Sequence, residues 1–226
     1  MTASTTLQKV LVSVEGQTEE TFVNEVLRSY FKTRHLWLEA TPLKQRTPEG
    51  TVAGRGGYLT YAKIKKEIQR LLNDSSAIAI TSMYDFYALA KDFPGYAALP
   101  NGNGAQRVAH LEAAFRADIN HRRFCPYLQL HEFESLLFAD VNITHATLLG
   151  DPTQLLQLTR IQQAFPSPEE INNDPCTAPS KRLRNIFPAY EKVLDGSIVI
   201  LEIGLERLRA ACPHFNTWLT WLESLT

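Results

Sequence analysis

The stretch KVLVSVEGQTEE, residues 9–20, predicts a buried strand that ends at a carboxylate and turns directly into a helix. Its apolar beginning has the composition of a buried strand, and Gly16 provides a tight turn immediately after Glu15. Glu19 and Glu20 then fall in the first turn of the predicted helix, where acidic side chains are favoured by the helix dipole. Three carboxylates are therefore expected close to the end of one strand.

The alternation of strand and helix continues along the next part of the chain. Residues 36–40 and 77–85 have strand patterns, and residues 58–72 repeat their apolar side chains at helical spacing. The order β-α-β-α-β predicts an α/β domain with a mostly parallel sheet flanked by helices. Ligands of such sheets gather beyond the carboxyl ends of the strands, and Asp85 ends the strand at 77–85 just as Glu15 ends the first.

A third acidic strand end is predicted further along. The stretch CPYLQLHEFE, residues 125–134, predicts a strand that runs into His131, Glu132 and Glu134, although HEFESLLF is equally compatible with the start of an amphipathic helix. After residue 140 the pattern is mostly helical. The sequence therefore predicts an α/β domain over residues 1–140 and a helical extension packed on it over residues 141–226. Helices are expected at 105–119, 153–165, 179–194, 198–211 and 214–225.

Composition limits the classes of function. The 226 residues carry 23 basic and 24 acidic side chains, a net charge of -1, so no global positive field exists to bind nucleic acid. Residues before Cys125 carry 16 basic and 12 acidic side chains, so a polyanion partner is expected in that half. The three cysteines lack the spacing of a zinc site or disulfide framework, and no signal peptide or membrane span is recognised, which favours a cytoplasmic protein.

Carboxylates that meet at neighbouring strand ends repel one another. Two unit charges 4 Å apart repel by about 4 kcal/mol at an effective dielectric constant of 20. A bound proton that raises one pKa would relieve the repulsion, and so would a hard divalent cation such as Mg²⁺ or Mn²⁺, which prefers oxygen ligands. Such ions activate water and stabilise the leaving oxygen in phosphodiester cleavage. Acids in a first helical turn can instead serve only the helix dipole, worth about 0.3–1 kcal/mol.

The motifs together resemble the Toprim domain of topoisomerases, primases and OLD-type nucleases. VEGQTEE is closest to the OLD-type variant, in which a second glutamate four residues after the first also serves the metal site. More closely still, the chain resembles a bacterial Toprim-like family often encoded beside an ABC- or AAA-type ATPase, in settings indicative of phage defence. That resemblance spans nearly the whole chain and is carried by VEGQTEETF, MYDFYAL, DFPG, PYLQLHEFESLLF, TAPSKR and CPHFNTWL.

The resemblance assigns roles to individual residues. Glu15 matches the glutamate of the first Toprim motif, Glu19 the additional OLD-type glutamate, and Asp85 the first aspartate of the DxD motif. The second aspartate of that motif is replaced by Tyr87. The resemblance then leaves three alternatives: Glu132 or Glu134 takes the place of the missing ligand, with Asp92 a weaker candidate; the site holds one ion; or catalysis is lost.

We therefore expect a Mg²⁺- or Mn²⁺-dependent nuclease in which Glu15, Asp85 and Glu132 act in catalysis. Metal ligands are expected among Glu15, Glu19, Asp85, Glu132 and Glu134. The resemblance implies DNA, in preference to RNA, and an ABC/AAA-type ATPase as partners. The chain has no P-loop of its own, so the ATPase activity would have to come from that partner. The alternative is a catalytically silent Toprim-like module that binds nucleic acid or the ATPase.

A glycine-rich loop is the best sequence candidate for contacts with a phosphate backbone. It spans residues 41–57 and contains Lys44, Arg46 and Arg55. Basic side chains contact phosphates without reading sequence. The basic side chains at residues 122–123 and 181–184 are further candidates for phosphate contacts. Each group is also typical of a solvated surface.

Overall fold

A parallel β-sheet organises the chain. The structure, a computed structural model, describes residues 7–43, 60–172 and 177–226. Its strands are β1 (Gln8–Val14), β2 (Leu36–Pro42), β3 (Ala77–Asp85), β4 (Phe124–Cys125) and β5 (Leu128–Gln129). The order across the five-stranded sheet is β2-β1-β3-β4, and β5 also pairs with β3. Every pairing among the described strands is parallel, so the predicted α/β fold with a mostly parallel sheet is confirmed.

Helices connect and cover the strands. The first helical segment begins as α1 (Gln17–Thr21), passes through a π-helical stretch (Phe22–Leu27) and ends as α2 (Arg28–Lys32). It is followed by α3 (Tyr61–Leu72) and α4 (Gly104–Ile119). The later helices are α5 (Val141–Thr147), α6 (Pro152–Gln163), α7 (Pro179–Ile186), α8 (Asp195–Ala211) and α9 (Pro213–Glu223), with a kink in α8 at Gly204.

Two hydrophobic clusters lie on opposite faces of the sheet, because successive strand side chains point to alternate faces. Val10, Val12 and Val14 of β1 lie in one cluster with residues of the π-helical stretch, α2, α8 and α9. Leu11 of the same strand lies in the second cluster, with α3 and α4. The helices after residue 140 thus share a core with the first strand. The domain boundary predicted there stays a prediction.

The last helix is anchored in that shared core. Trp218 is buried, its ring stacks on Tyr127 with centroids 4.3 Å apart, and its Nε1–H donates to Thr81 Oγ1 at 3.0 Å. A tryptophan whose N–H is satisfied can be buried at little polar cost. The contact ties α9 directly to β3.

Two predicted elements were wrong in extent. The strand predicted to run through residues 125–134 ends at Gln129, because His131 adopts a left-handed backbone (φ 60°) and a 3₁₀ helix, Phe133–Ala139, follows. The helix predicted over residues 179–194 ends at Ile186. Pro188 disfavours a helical conformation of the residue before it, and Phe187 is accordingly non-helical (φ -121°, ψ 87°). Both differences change the backbone next to the predicted acids, at Glu132 and Glu134 and in the segment after α7.

Candidate acidic site at the carboxyl edge of the sheet

Glu15 and Asp85 are brought to the same edge by neighbouring strands. Val14 of β1 is in register with Met83 of β3, so Glu15 and Asp85 follow at the same carboxyl edge. Asp85 is buried, and its Oδ1 accepts a hydrogen bond from the Phe133 N–H at 2.9 Å. The parallel pairing of β1 and β3 therefore brings these two acids to the same edge of the sheet, as the sequence predicted.

Glu19 joins them from the first turn of α1. Gly16 caps this helix in an extended conformation, and its N–H donates to Glu19 Oε2 at 3.1 Å. This capping contact directs the Glu19 side chain back toward the strand ends, and only 3% of the residue is exposed. Glu20, one position later, is partly exposed and makes no ion pair with a described residue.

Glu132 and Glu134 do not share one face, because the strand does not continue through them. Glu134 lies in the 3₁₀ helix and is completely buried. Glu132 precedes that helix, and its Oε2 accepts a hydrogen bond from the Ser180 N–H at 3.0 Å, at the start of α7. The structure therefore places Glu134 with Glu15, Glu19 and Asp85, whereas Glu132 holds α7 against the sheet.

Lys192 lies among these acids. Its Nζ is 3.3 Å from Glu134 Oε2, 3.4 Å from Asp85 Oδ2 and 3.6 Å from Glu19 Oε1. The lysine belongs to the turn between α7 and α8, which exists because α7 ends at Ile186. Sequence reasoning missed it by assigning it to a helix. Pro188 was the one local signal that this segment leaves the helix and can reach the sheet edge.

The electrostatics of the site are dominated by burial. Burial, and next the charge of Glu19, raise the pKa of Glu15 from 4.5 to about 7. Burial also raises the pKa values of Asp85 and Glu134, against the lowering effect of Lys192. For Lys192 burial lowers the pKa, but the charges of Asp85, Glu134 and the other two acids outweigh it, so its pKa is raised well above 10.5. The ammonium is charged, and one positive charge faces four acids.

Several buried carboxylate oxygens have no hydrogen-bond partner in the described part of the chain. They are Glu15 Oε2 and both oxygens of Glu134, of which Oε2 has only its ion-pair contact with Lys192. An unsatisfied buried acceptor is costly and is rare in folded proteins. The donor chemistry, all carboxylate, fits a hard divalent cation. In the present arrangement, however, no three acidic, histidine or cysteine side chains of residues 7–43, 60–172 and 177–226 converge at metal-binding distance, and Lys192 lies between them.

Tyr87 occupies the position of the expected second aspartate. Its hydroxyl accepts a hydrogen bond from Asn172 Nδ2 at 2.8 Å, and 37% of the residue is exposed. Asp92, the weaker candidate, is exposed, and its carboxylate accepts from the Tyr61 N–H at 3.2 Å, at the start of α3. The acid that completes the cluster is thus Glu134.

The basic residues predicted to contact phosphate differ in what the structure shows of them. Lys44, Arg46 and Arg55 lie outside the described residues. Arg123 donates to the carbonyl oxygens of Leu72 and Ala77 at 2.5 and 2.6 Å, which is a structural role. Arg122 is exposed and remains available for a contact with phosphate.

Comparison with known proteins gives one match. The model of the family described as "Domain of unknown function (DUF4276)" matches residues 14–223. No curated protein and no solved structure matches the chain. Within the described ranges, the helices lack the combination of length and apolar character that a bilayer-crossing segment requires. The match covers nearly the whole chain, from the end of β1 to the end of α9, and includes the four clustered acids and Lys192. The chain therefore belongs to the DUF4276 family.

Proposed function

We propose that the chain is a divalent-cation-dependent nuclease that hydrolyses phosphodiester bonds of nucleic acid. The observation that carries the proposal is the gathering of Glu15, Glu19, Asp85 and Glu134 at one edge of a parallel sheet, with buried carboxylate oxygens that receive no hydrogen bond from any described residue. Perturbed acids at the carboxyl ends of parallel strands are typical of catalytic sites.

The residues of the cluster have distinct roles in this proposal. Glu15, Asp85 and Glu134 would hold a Mg²⁺ or Mn²⁺ ion, and Glu19 would support a second. The bound ion would supply activation of water and stabilisation of the leaving oxygen. Glu132 contributes indirectly, since its contact with Ser180 fixes the helix that precedes the Lys192 turn.

Lys192 balances the acids when no divalent cation is present. One ammonium offsets part of the repulsion among four carboxylates and keeps their side chains directed to a common point. The cation that belongs to this site is Lys192.

The biological setting rests on the resemblance to Toprim-like proteins. We propose DNA in preference to RNA as substrate, an ABC- or AAA-type ATPase as partner, and a role in phage defence in the cytoplasm. The sequence has no P-loop, so the ATPase activity would have to come from that partner.

A second candidate is a catalytically silent module that binds nucleic acid or the ATPase. Two features favour it: Tyr87 in place of an acid, and an ammonium already paired with three of the carboxylates. In such a module the ion pairs would be structural, and no divalent cation would enter.

Cleavage of plasmid DNA distinguishes the two candidates. Purified protein is incubated with supercoiled plasmid and Mn²⁺, in parallel with chelator. We expect nicking that is abolished by chelator, by Glu15→Gln and by Asp85→Asn, and retained by the matched control Glu20→Gln in the same helical turn. Equal nicking by Glu15→Gln would exclude the proposed site, and no nicking together with no Mn²⁺ binding would favour the silent module.

A further inference from the structure

A cluster of aromatic and basic side chains lies directly beside the acidic site. Tyr87 and His131 belong to the two segments that also carry Asp85 and Glu134. Two hydrogen bonds join these segments: the Phe133 N–H donates to Asp85 Oδ1 at 2.9 Å, and the Tyr87 N–H donates to the His131 carbonyl at 3.2 Å. The rings of Tyr87 and His131, with centroids 5.2 Å apart, are therefore neighbours of the acids.

The cluster presents an aromatic surface to solvent. The rings of Phe86 and Tyr87 stack at 5.7 Å with an interplanar angle of 25°. Phe86 is buried, whereas 37% of Tyr87 is exposed. The hydrogen bond from Asn172 to the Tyr87 hydroxyl fixes the orientation of the ring. A rigid, partly exposed aromatic ring is a platform on which a nucleobase can stack.

His131 is held in a costly conformation next to that platform. Its φ of 60° lies in the left-handed region, which is unfavourable for a non-glycine residue. Only 4% of the residue is exposed, and its Nδ1 has no hydrogen-bond partner among the described residues. Its ring packs so closely on the first residue of α4 that a Cβ at Gly104 would come within 3.1 Å of it. Strain of this kind concentrates at functional sites.

Arg107 completes the cluster with a positive charge that no described carboxylate pairs with. Its guanidinium lies 5.4 Å from the ring centroid of Phe86. After burial, its positive charge is the second cause that lowers the pKa of His131. Its Nε is buried without a hydrogen-bond partner, and no carboxylate in the described ranges forms a salt bridge with it. A guanidinium that is fixed on an aromatic ring and lacks a carboxylate is well suited to bind a phosphate.

We propose that Tyr87 and Arg107 form a nucleotide-binding subsite, with His131 packed against Tyr87, that takes one residue of a single-stranded nucleic acid, its base on Tyr87 and its phosphate at Arg107. This inference rests on the proposed nuclease function and names its substrate class. A base within a duplex is already stacked on both faces, so an aromatic platform favours an unpaired strand. Tyr87 would then serve substrate binding at the position where an aspartate would serve the metal.

Binding without cleavage tests the subsite separately from the nuclease. Fluorescence anisotropy of a labelled single-stranded oligonucleotide in chelator compares the wild type with Arg107→Ala and Tyr87→Leu. We expect each substitution to weaken binding about tenfold, with the salt dependence reduced by about one phosphate contact for Arg107→Ala. Arg160→Ala, which removes an exposed arginine on α6, is the control and should stay within about twofold of wild type.

The outcomes separate the two proposals. Wild-type binding by Arg107→Ala or Tyr87→Leu, with thermal unfolding unchanged, overturns the subsite even if Mn²⁺-dependent cleavage occurs. Loss of binding in both variants supports the subsite even if no cleavage is found, in which case only the nuclease proposal fails. An equal loss for a duplex of the same sequence in Tyr87→Leu would overturn the preference for single strands.

Discussion

The Nζ of Lys192 lies 3.3 Å from Oε2 of Glu134, a carboxylate that is completely buried and has no hydrogen bond of its own in the described structure. A turn in the C-terminal part of the chain thereby supplies the cation for acids that the strands gather. Substitutions at this pair should therefore change both the stability of the fold and the binding of metal at the site.

Replacement of Lys192 by methionine should destabilise the protein in chelator. The substitution keeps the aliphatic length but leaves four acids without their cation. We expect a loss of roughly 2–3 kcal/mol, below the range for a fully buried pair because 30% of the lysine side chain is exposed. Thermal unfolding measures it, and Mn²⁺ should restore much of the loss. Lys66→Met, on the exposed face of α3, is the control. An unchanged melting temperature would mean that the ion pairs do not stabilise the fold.

Glu15→Gln should stabilise the protein at neutral and higher pH. The folded-state pKa of Glu15 is about 7 and its ordinary value is 4.5, so folding favours the protonated form. Stability is therefore lost as pH rises from about 4.5 to 7, and this loss is absent from the variant. The melting temperature of Glu15→Gln should exceed that of wild type by a few degrees at pH 8, and the difference should vanish near pH 4. A difference that grows toward low pH would contradict the sign.

Glu134→Gln and Glu132→Gln should differ in metal binding. Glu134 faces the other acids, whereas Glu132 accepts a hydrogen bond from Ser180. Calorimetric titration with Mn²⁺ should show a loss of affinity of at least about tenfold for Glu134→Gln, since one of few carboxylate ligands is removed. Glu132→Gln should bind Mn²⁺ nearly as wild type does. The reverse order would assign the ligand to Glu132.

Tyr87→Asp should exchange one function for another. The new carboxylate would stand two residues after Asp85, at the second position of a DxD motif. We expect tighter Mn²⁺ binding and, in chelator, weaker binding of single-stranded DNA, because an anion replaces the stacking ring. Tyr87→Asn, which introduces no charge, is the control for the metal measurement. Unchanged Mn²⁺ affinity in Tyr87→Asp would place position 87 too far from the ion.

The central strands were predictable because their signal is local. Residues 77–85 form one apolar run closed by an acid, and the structure gives β3 these same bounds. The strand ends place Glu15 and Asp85 and the first turn of α1 places Glu19, so three of the four clustered acids follow from patterns within single elements. Pairing in parallel then brings the two acids together.

The positions of Glu134 and Lys192 depend on changes of backbone direction, and these leave no periodic pattern in the sequence. His131 turns the chain out of the sheet and thereby separates the directions of Glu132 and Glu134. Lys192 arrives because Pro188 ends a helix, and its partners lie far away in the sequence. A contact between distant segments leaves no local pattern, so the lysine could be found only from the folded chain.

The position of Lys192 also sets an order of events during synthesis. The ribosome releases the segments that carry Glu15, Glu19, Asp85 and Glu134 before the turn after α7, and domains begin to fold as they emerge. Until that turn follows, the carboxylates can approach one another only as protonated groups or with a cation from solution. A nascent chain would therefore pass through a stage at which its strands are present and its acids lack their lysine.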